Sequence, residues 1–231
     1  MSPHSAGDWV ESRLGYTFRD PALLDAALTH RSAGRANYER LEFLGDSVLN
    51  FVVAVLAFQS FPEASEGDLS RYRSALVSSR TLADMAAGLK LGDQLRLGGG
   101  ELKSGGFRRD SILADSLEAV FGAVYLDGGL EAAHGVIERL VAARLRNLPD
   151  AQELKDPKTR LQEELQSRGL ALPRYAVEEV SGEPHDQWFV ASCEVAALEL
   201  RERGEGSSRR KAEQDAAQRV LAGLVREVEQ Q

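Results

Sequence analysis

Residues 38–47 read YERLEFLGDS and place three carboxylates at the start of a segment that becomes steadily more apolar. At about 100° per residue, a helix gathers Glu39, Glu42 and Asp46 within an arc of roughly 60° on one face. The next residues, 48–56 (VLNFVVAVL), are apolar almost all round, which is typical of a helix buried inside a bundle. We therefore predict a buried helix whose acidic stripe faces inward.

A second acidic pair, Asp115 and Glu118, lies three residues apart in the apolar segment 112–121. Taken alone, such a pair is more often solvated helix surface than a site. Carboxylates gathered at the junction of two apolar helices, however, repel one another and lose hydration, at a cost on the order of several kcal/mol per ion. A divalent cation compensates them most simply, and oxygen ligands without a Cys or His cluster favour Mg²⁺ or Mn²⁺.

Composition constrains the fold and function less strongly than these acidic motifs do. The 231 residues suit one or two domains, and the net charge of −8 argues weakly against a nucleic-acid partner, although basic residues need only cluster locally to bind phosphates. The single Cys193 excludes an internal disulfide and fits a buried small hydrophobe. Without a run of about 18 apolar residues or an N-terminal leader, we expect no membrane span and a cytoplasmic location.

The periodicity of the chain changes near residue 150. Apolar residues recur at helical spacing up to about residue 147. Within this part, the glycines at 98–106 indicate an open loop. Asp156 and Pro157 then start a new helix that Gly169 stops, and alternation predicts strands at 174–180, 188–195 and 197–203 before a last helix. The predicted fold is an all-α domain, residues 1–149, a linker, 150–155, a small α+β domain of order α-β-β-β-α, 156–226, and a tail, 227–231.

These segments resemble a known family. Residues 38–47 are similar to the signature of the ribonuclease III family, and the Asp115–Glu118 pair to its second acidic motif. Further blocks resemble the family in the same order, so nearly the whole chain is covered: 14–18 (LGYTF), 27–32 (ALTHRS), 66–70 (EGDLS) and 102–109 (LKSGGFRR). The α-β-β-β-α part, with 206–213 (GSSRRKAE), resembles a double-stranded-RNA-binding domain.

The resemblance implies an endoribonuclease that hydrolyses double-stranded RNA through metal-activated water, leaving 5′-phosphate and 3′-hydroxyl ends. Its expected substrates are ribosomal RNA precursors and structured messenger RNA. It further implies a homodimer with Phe43 at the seam, although burial within the monomer explains Phe43 equally well without the resemblance. The expected metal set is Glu42, Asp46, Asp115 and Glu118; the expected catalytic residues are Asp46, Glu118, Glu39 and Glu66, the last two for substrate positioning or an outer shell.

Three groups of residues are candidates for RNA contacts. One helix offers a polar face to 2′-hydroxyls, the next presents cations at its N-terminus, where the helix dipole also suits phosphates, and the glycine-containing loop adds three more cations. The resemblance adds His185. The candidates are Thr159, Gln162, Glu163, Gln166, His185, Ser208, Arg209, Arg210, Lys211, Lys103, Arg108 and Arg109. The same glycines lack the Gly-Lys-Ser or Gly-Lys-Thr ending of a phosphate loop, so we expect no nucleotide cofactor.

Two positions depart from the family pattern. Tyr38 stands where Asn is common, and we expect it to alter how its helix starts. Glu213 stands where many such RNA-binding domains place a basic residue, and we expect it to reposition the RNA contact or to cause at most a modest loss of RNA affinity. Two other functions remain open. A non-catalytic RNA-binding protein on an inactive nuclease fold is expected to have lost metal carboxylates, and this chain retains them all. A di-metal oxidative site needs Glu-x-x-His pairs, and none occurs in the sequence.

Overall fold

The computed structural model describes residues 6–183 and 186–228, with side chains described through Leu224. The chain folds into two compact units, Met1–Ala151 and Gln152–Gln231. The helices of the first unit are α1 (Ala6–Leu14), α2 (Pro21–Ala27), α3 (Glu39–Ser60), α4 (Glu66–Leu76), α5 (Ser79–Gly88), α6 (Gly99–Lys103) and α7 (Asp110–Arg146). Short 3-10 turns at Leu91–Gln94 and Gly106–Arg108 flank α6. The prediction of an all-α first domain is confirmed.

The packing of α3 against α7 forms the centre of this unit. Leu49, Val52 and Val53 of α3 are fully buried, as are the residues of α7 from Leu117 to Val124 apart from Glu118. Two glycines bring the backbones together: a Cβ atom on Gly45 would lie 1.8 Å from the carbonyl oxygen of Glu118, and one on Gly122 would lie 2.2 Å from that of Leu41. The close approach places the two acidic motifs side by side.

The predicted burial of α3 is only partly correct. Phe43, Phe51 and Phe58 are 78%, 55% and 70% exposed, so the helix has a solvent-facing aromatic side. The acidic stripe does not face inward as a whole either, because Glu39 and Asp46 are exposed and only Glu42 is half-buried. At about 100° per residue, Glu39 and Asp46 lie at the margin of the face that Leu49 and its neighbours bury, whereas Glu42 lies within it.

Among residues 6–183 and 186–228, α3 alone has the length and apolar composition of a membrane-spanning helix. Core helices of globular domains share that composition. The fully buried Leu49, Val52 and Val53 pack in the hydrophobic core with residues of α7, which accounts for their apolar character.

The open loop predicted at residues 98–106 is wrong, because these residues include the short helix α6 and the start of the 3-10 turn Gly106–Arg108. The long helix α7 consists of two helical segments. They meet at Gly129, where φ of 79° and ψ of −175° are not helical, so the segment that carries Asp115 and Glu118 ends at this turn. Asp127 fixes the turn by accepting hydrogen bonds from the Tyr16 hydroxyl at 2.6 Å and from the Arg19 amide at 2.9 Å.

The second unit has the predicted order of helix, three strands and helix. Its elements are α8 (Pro157–Ser167), β1 (Arg174–Ser181), β2 (Trp188–Val195), β3 (Leu200–Gly206) and α9 (Arg209–Val228). The antiparallel sheet has the order β1-β2-β3, and both helices pack on one face over a core that includes Leu161, Leu165 and Cys193. Cys193 is a free, buried thiol, as expected.

The third strand begins at Leu200 rather than at residue 197. Ala196–Leu198 forms a 3-10 turn and Glu199 takes a left-handed conformation. The start predicted from alternating residue types was therefore wrong. The strand also extends past the predicted end at residue 203, because Gly204 and Gly206 belong to β3. A Cβ on Gly204 would lie 2.1 Å from the backbone nitrogen of Ala216, which shows how closely α9 crosses the strand.

The α3–α7 contact makes a testable prediction. Gly45→Ala should lower the free energy of unfolding by about 2–3 kcal/mol, because the added methyl group meets backbone that cannot move aside. Gly135→Ala is the matched control: Gly135 also lies in a helix, α7, with no atom within 4 Å of its Cβ position. It should stabilise the protein by about 0.5–1 kcal/mol. Denaturant unfolding measures both, and equal effects would contradict close packing at Gly45.

Candidate functional site

Three carboxylates from two helices meet at the α3–α7 junction. Glu42 comes from the first turn of α3, and Asp115 and Glu118 come from one turn of α7. One oxygen from each lies within 4.8 Å of the other two, and all three side chains are partly buried. In the described part of the chain this is the one cluster of acidic, His or Cys side chains with a geometry suited to a metal ion.

The cluster is electrostatically unfavourable by itself. Burial, followed by the charges of Asp46, Asp115 and Glu42, raises the pKa of Glu118 to about 8. Burial also raises the pKa of Asp115, and burial together with the charge of Asp115 raises that of Glu42. A cation that neutralises the three groups relieves this repulsion. Carboxylate oxygens without a soft ligand fit Mg²⁺ or Mn²⁺, so the residues present suit such an ion.

The other predicted site carboxylates occupy three different environments. Asp46 lies outside the group of three, where its Oδ1 accepts a hydrogen bond from Asn50 at 2.8 Å, yet its charge acts strongly on Glu118. Glu39 is exposed beside Arg31, at 3.6 Å, and raises the pKa of Glu42. Glu66 is exposed at the N-terminus of α4 and accepts a hydrogen bond from Ser70 at 3.1 Å. Glu66 does not line the cleft described next.

A cleft of about 250 Å³ opens beside the cluster and is lined by side chains of both signs. Carboxylates of Glu42 and Asp115 form one part of its wall. Arg31 and Arg109 form another, each paired with a carboxylate, Arg109 with Glu101 at 3.1 Å. The remaining lining residues are His30, Tyr38, Glu39, Ser111 and Ile112. Cations within reach of a carboxylate cluster suit a phosphate group that binds between them.

Two residues of this cleft were not among the predicted site residues. His30 lines the cleft, and its Nδ1 contacts the Ser32 hydroxyl at 2.7 Å. Tyr38 is 3% exposed and packs edge-on against His30. Burial and the charges of Asp115 and Glu42 raise the pKa of Tyr38, so its phenol stays protonated beside the cluster. Pairing of Thr29 with Arg96 positions His30, and no local sequence pattern reveals such a long-range contact.

The predicted RNA-contact residues of the second unit lie on two helix faces. Thr159, Gln162, Glu163 and Gln166 are on α8, with polar side chains at or near its surface. Ser208, Arg209, Arg210 and Lys211 lie at the start of α9, where the Lys211 amide donates to the Ser208 hydroxyl at 3.3 Å. His185 lies outside the described residues. In the first unit, Lys103, Arg108 and Arg109 are exposed on α6 and the turn after it.

Comparison with known families follows this division of the chain. Residues 20–145 match the family model described as "Ribonuclease-III-like", and residues 157–224 match "Double-stranded RNA binding motif". The two matched families and the carboxylate cluster therefore define a metal-dependent nuclease joined to a double-stranded-RNA-binding domain.

Individual relatives narrow the class. The chain is 56% identical over 217 residues to ribonuclease 3 of Alkalilimnicola ehrlichii, covering 94% of this chain and 95% of that protein, and 57% identical over 219 residues to ribonuclease 3 of Nitrosococcus oceani, covering 94% of each. A structure of the nuclease domain of ribonuclease III from Campylobacter jejuni is 44% identical, with a TM-score of 0.57, over 59% of this chain and 96% of that one. The chain belongs to the ribonuclease III family and is an endoribonuclease.

The raised pKa of Glu118 predicts a pH-dependent stability in metal-free buffer. Its folded pKa of about 8 exceeds the ordinary value of 4.5, so the folded state holds the proton more tightly and loses stability as pH rises from about 5 to 8. Glu118→Gln, which cannot ionise, should therefore melt about 2–4 °C above wild type at pH 8, with the gap closing near pH 5. Thermal melts at both pH values measure this.

Glu131→Gln is the control, because Glu131 is an exposed carboxylate on the same helix. It should show no such pH-dependent gap. A gap of the same size for Glu118→Gln at pH 5 and pH 8 would show that Glu118 is already ionised in the folded protein at low pH.

Proposed function

We propose that the chain hydrolyses double-stranded RNA with Mg²⁺, for which Mn²⁺ substitutes, held by Glu42, Asp46, Asp115 and Glu118. The observation that carries this proposal is the approach of oxygens from Glu42, Asp115 and Glu118 to within 4.8 Å of one another. The raised pKa values of these carboxylates supply the reason that they need a cation. The expected products carry 5′-phosphate and 3′-hydroxyl ends.

The chemistry divides between the ion and the protein. When bound, the ion supplies a water of lowered pKa and neutralises charge on the phosphate and the leaving oxygen. Asp115 and Glu118 project from one turn of α7 and, with Glu42 of α3, would hold the ion. Arg31 and Arg109, in the wall of the cleft, exchange their carboxylate partners for the phosphate of the substrate. No protein nucleophile is required.

The remaining acidic residues act around that centre. Asp46, whose charge acts on Glu118, would serve as the fourth carboxylate that holds the ion. Glu39 holds Arg31 and orients the substrate at the mouth of the cleft. We assign Glu66 to an outer position, because it lies at the start of α4 and does not line the cleft.

The second unit binds the duplex. A polar face on α8 suits the 2′-hydroxyls in the wide minor groove of A-form RNA, and cations at the N-terminus of α9 suit phosphates across the adjacent groove. The exposure of Arg209, Arg210 and Lys211 supports this assignment. Lys103, Arg108 and Arg109 add contacts from the nuclease unit. We keep the boundaries 1–149, 150–155, 156–226 and 227–231 for the nuclease domain, linker, RNA-binding domain and tail.

We further propose that the chain acts as a cytoplasmic homodimer on ribosomal RNA precursors and structured messenger RNA. Phe43 is 78% exposed next to the acidic cluster, where an unpaired aromatic side chain suits an interface anchor. In the nuclease domain of the Campylobacter jejuni relative, a structurally flexible region is involved in dimer formation.

The direct test of function is cleavage of an end-labelled RNA duplex, with single-stranded RNA and a DNA duplex as controls. Wild type should cut only the RNA duplex, and EDTA should abolish cutting. Glu118→Gln should lower the cleavage rate by more than about 100-fold, because it removes a metal ligand, while a gel shift in Ca²⁺ persists. Glu131→Gln on the same helix should cut normally. Binding without cleavage by wild type in Mg²⁺ and in Mn²⁺ would instead indicate an inactive nuclease fold.

The proposed dimer is tested by the charge substitution Phe43→Asp. It should raise the dimer dissociation constant at least about 100-fold, because an interface anchor is replaced by a charge that must be desolvated. Phe58→Asp is the matched control, since Phe58 is 70% exposed on the same helix, 15 positions further on. Sedimentation velocity measures both. A monomeric wild type, or equal dimer dissociation constants for the two variants, would contradict the assignment of Phe43 to the interface.

A further inference from the structure

Two acidic side chains join the first turns of the two helices that carry the predicted RNA contacts. Asp156 is the N-cap of α8 and accepts the Lys158 amide at 2.9 Å. The same carboxylate reaches across to α9, where it accepts hydrogen bonds from Arg210 at 3.3 Å and from the side-chain amide of Gln214. The cap of one helix is therefore bound to the first turns of the other.

Glu213 makes the reverse connection. It lies on α9, is 6% exposed, and accepts Lys158 Nζ of α8 at 2.6 Å and Arg209 Nε at 2.8 Å. Lys158 Nζ also lies 4.2 Å from the centre of the Tyr175 ring, which fixes it to strand β1. We call Asp156 and Glu213 together the acidic clamp.

Both members of the acidic clamp are ionised at neutral pH. Burial alone raises the pKa of Glu213, but hydrogen bonds from Lys158 and Arg209 outweigh it and hold the pKa below its usual value. Burial likewise opposes ionisation of Asp156, and hydrogen bonds from Gln214, the Lys158 amide and Arg210 again outweigh it and lower the pKa. A nearly buried carboxylate that keeps two charged partners is costly to disturb.

We propose that the acidic clamp positions the RNA-binding surface by fixing the start of α9 against the start of α8. The inference rests on the proposed RNA-binding function of these two helices. From sequence, Glu213 is a lost cation that weakens binding. In the structure Glu213 holds Arg209 and Lys158 in place. We therefore expect Glu213 to strengthen RNA binding rather than weaken it.

Fixed spacing matters because a double-stranded-RNA-binding domain recognises shape. It contacts successive grooves of A-form RNA at positions set by the helix itself, so the two helix starts must keep the matching separation. Arginine and lysine side chains that are ordered before binding also lose less conformational entropy on binding. The acidic clamp links α8 to α9, which fixes the separation of the two helix starts. It also restrains Arg209 and Arg210, which lowers the entropy lost on binding.

The simpler interpretation predicts the opposite result. If Glu213 only neutralises neighbouring cations, then Glu213→Gln frees Arg209 and Lys158 for phosphates, tightens binding and steepens its salt dependence. If Glu213 positions them, the same substitution weakens binding. The direction of the change in RNA affinity on Glu213→Gln therefore distinguishes the neutralising role of Glu213 from the positioning role.

The experiment measures binding of a fluorescent RNA duplex by anisotropy over a range of salt concentrations. The full chain is used in a Glu118→Gln background with Ca²⁺, so that the RNA is not cut. Glu213→Gln should weaken binding about fivefold to tenfold. Asp156→Asn should weaken it similarly while keeping a good N-cap residue. Glu164→Gln is the control, because the Glu164–Arg168 pair stays on α8 and its C-cap, and it should change affinity less than about twofold.

A double-mutant cycle tests the mechanism. Lys158→Gln should weaken binding by itself, and Lys158→Gln with Glu213→Gln should be little weaker than either single variant, because both remove the same connection. Additive losses, or a Glu213→Gln variant that binds as tightly as its parent, would overturn the inference. Thermal melts establish that each variant is folded, and Asp156→Asn decides the matter if Glu213→Gln does not fold.

A separate variant distinguishes failure of the acidic clamp from failure of the RNA-binding proposal. Replacing Arg209, Arg210 and Lys211 together by Gln should abolish most salt-dependent binding. Unchanged RNA affinity in this variant would contradict the proposed RNA-binding surface and, with it, the proposed role of the acidic clamp. Weakened binding here with normal binding by Glu213→Gln and Asp156→Asn would overturn the acidic clamp alone.

Discussion

The approach of two helix backbones through Gly45 and Gly122 is the constraint on which the nuclease unit depends. A side chain at either position would overlap backbone atoms of the opposite helix, at 1.8 Å and 2.2 Å. The contact places the first turns of α3 beside α7 at Glu118, so carboxylates 73 or more positions apart in sequence share one site. The same packing leaves the aromatic side of α3, with Phe43, facing solvent.

The site shows how a fold can hold a group of charges that opposes its stability. Burial raises the pKa of Glu42, Asp115 and Glu118, and repulsion by neighbouring carboxylates raises that of Glu42 and Glu118 further. The metal-free protein therefore carries an electrostatic penalty once these groups ionise. The buried, largely apolar core around Leu49 and Leu117 stabilises the fold against that penalty. In the RNA-binding unit the opposite arrangement occurs. Hydrogen bonds from Gln214, the Lys158 amide and Arg210 lower the pKa of Asp156, and hydrogen bonds from the Lys158 and Arg209 side chains lower that of Glu213.

The sequence predicted what depends on local pattern. Periodicity and capping residues predicted the all-α and α-β-β-β-α parts. The two acidic motifs predicted that carboxylates of two apolar helices lie side by side, whereas the metal set of Glu42, Asp46, Asp115 and Glu118 came from the family resemblance. What it missed depends on distant contacts. Pairing of Thr29 with Arg96 brings His30 to the cleft, and contact between helices gives Glu213 the cationic partner Lys158 beside Arg209 of its own helix. The start of β3 was misplaced because the left-handed Glu199 interrupts an alternating pattern that is typical of continuous strand.

The central proposal is that carboxylates from both helices hold the same divalent cation. Crystals of the protein grown with Mn²⁺, examined by anomalous diffraction, test it most directly, because the metal position is seen without reference to activity. We expect an Mn²⁺ ion contacted by oxygens of Glu42, Asp115 and Glu118 together. An ion bound by residues of only one helix, or at a site away from this cluster, would contradict the claim.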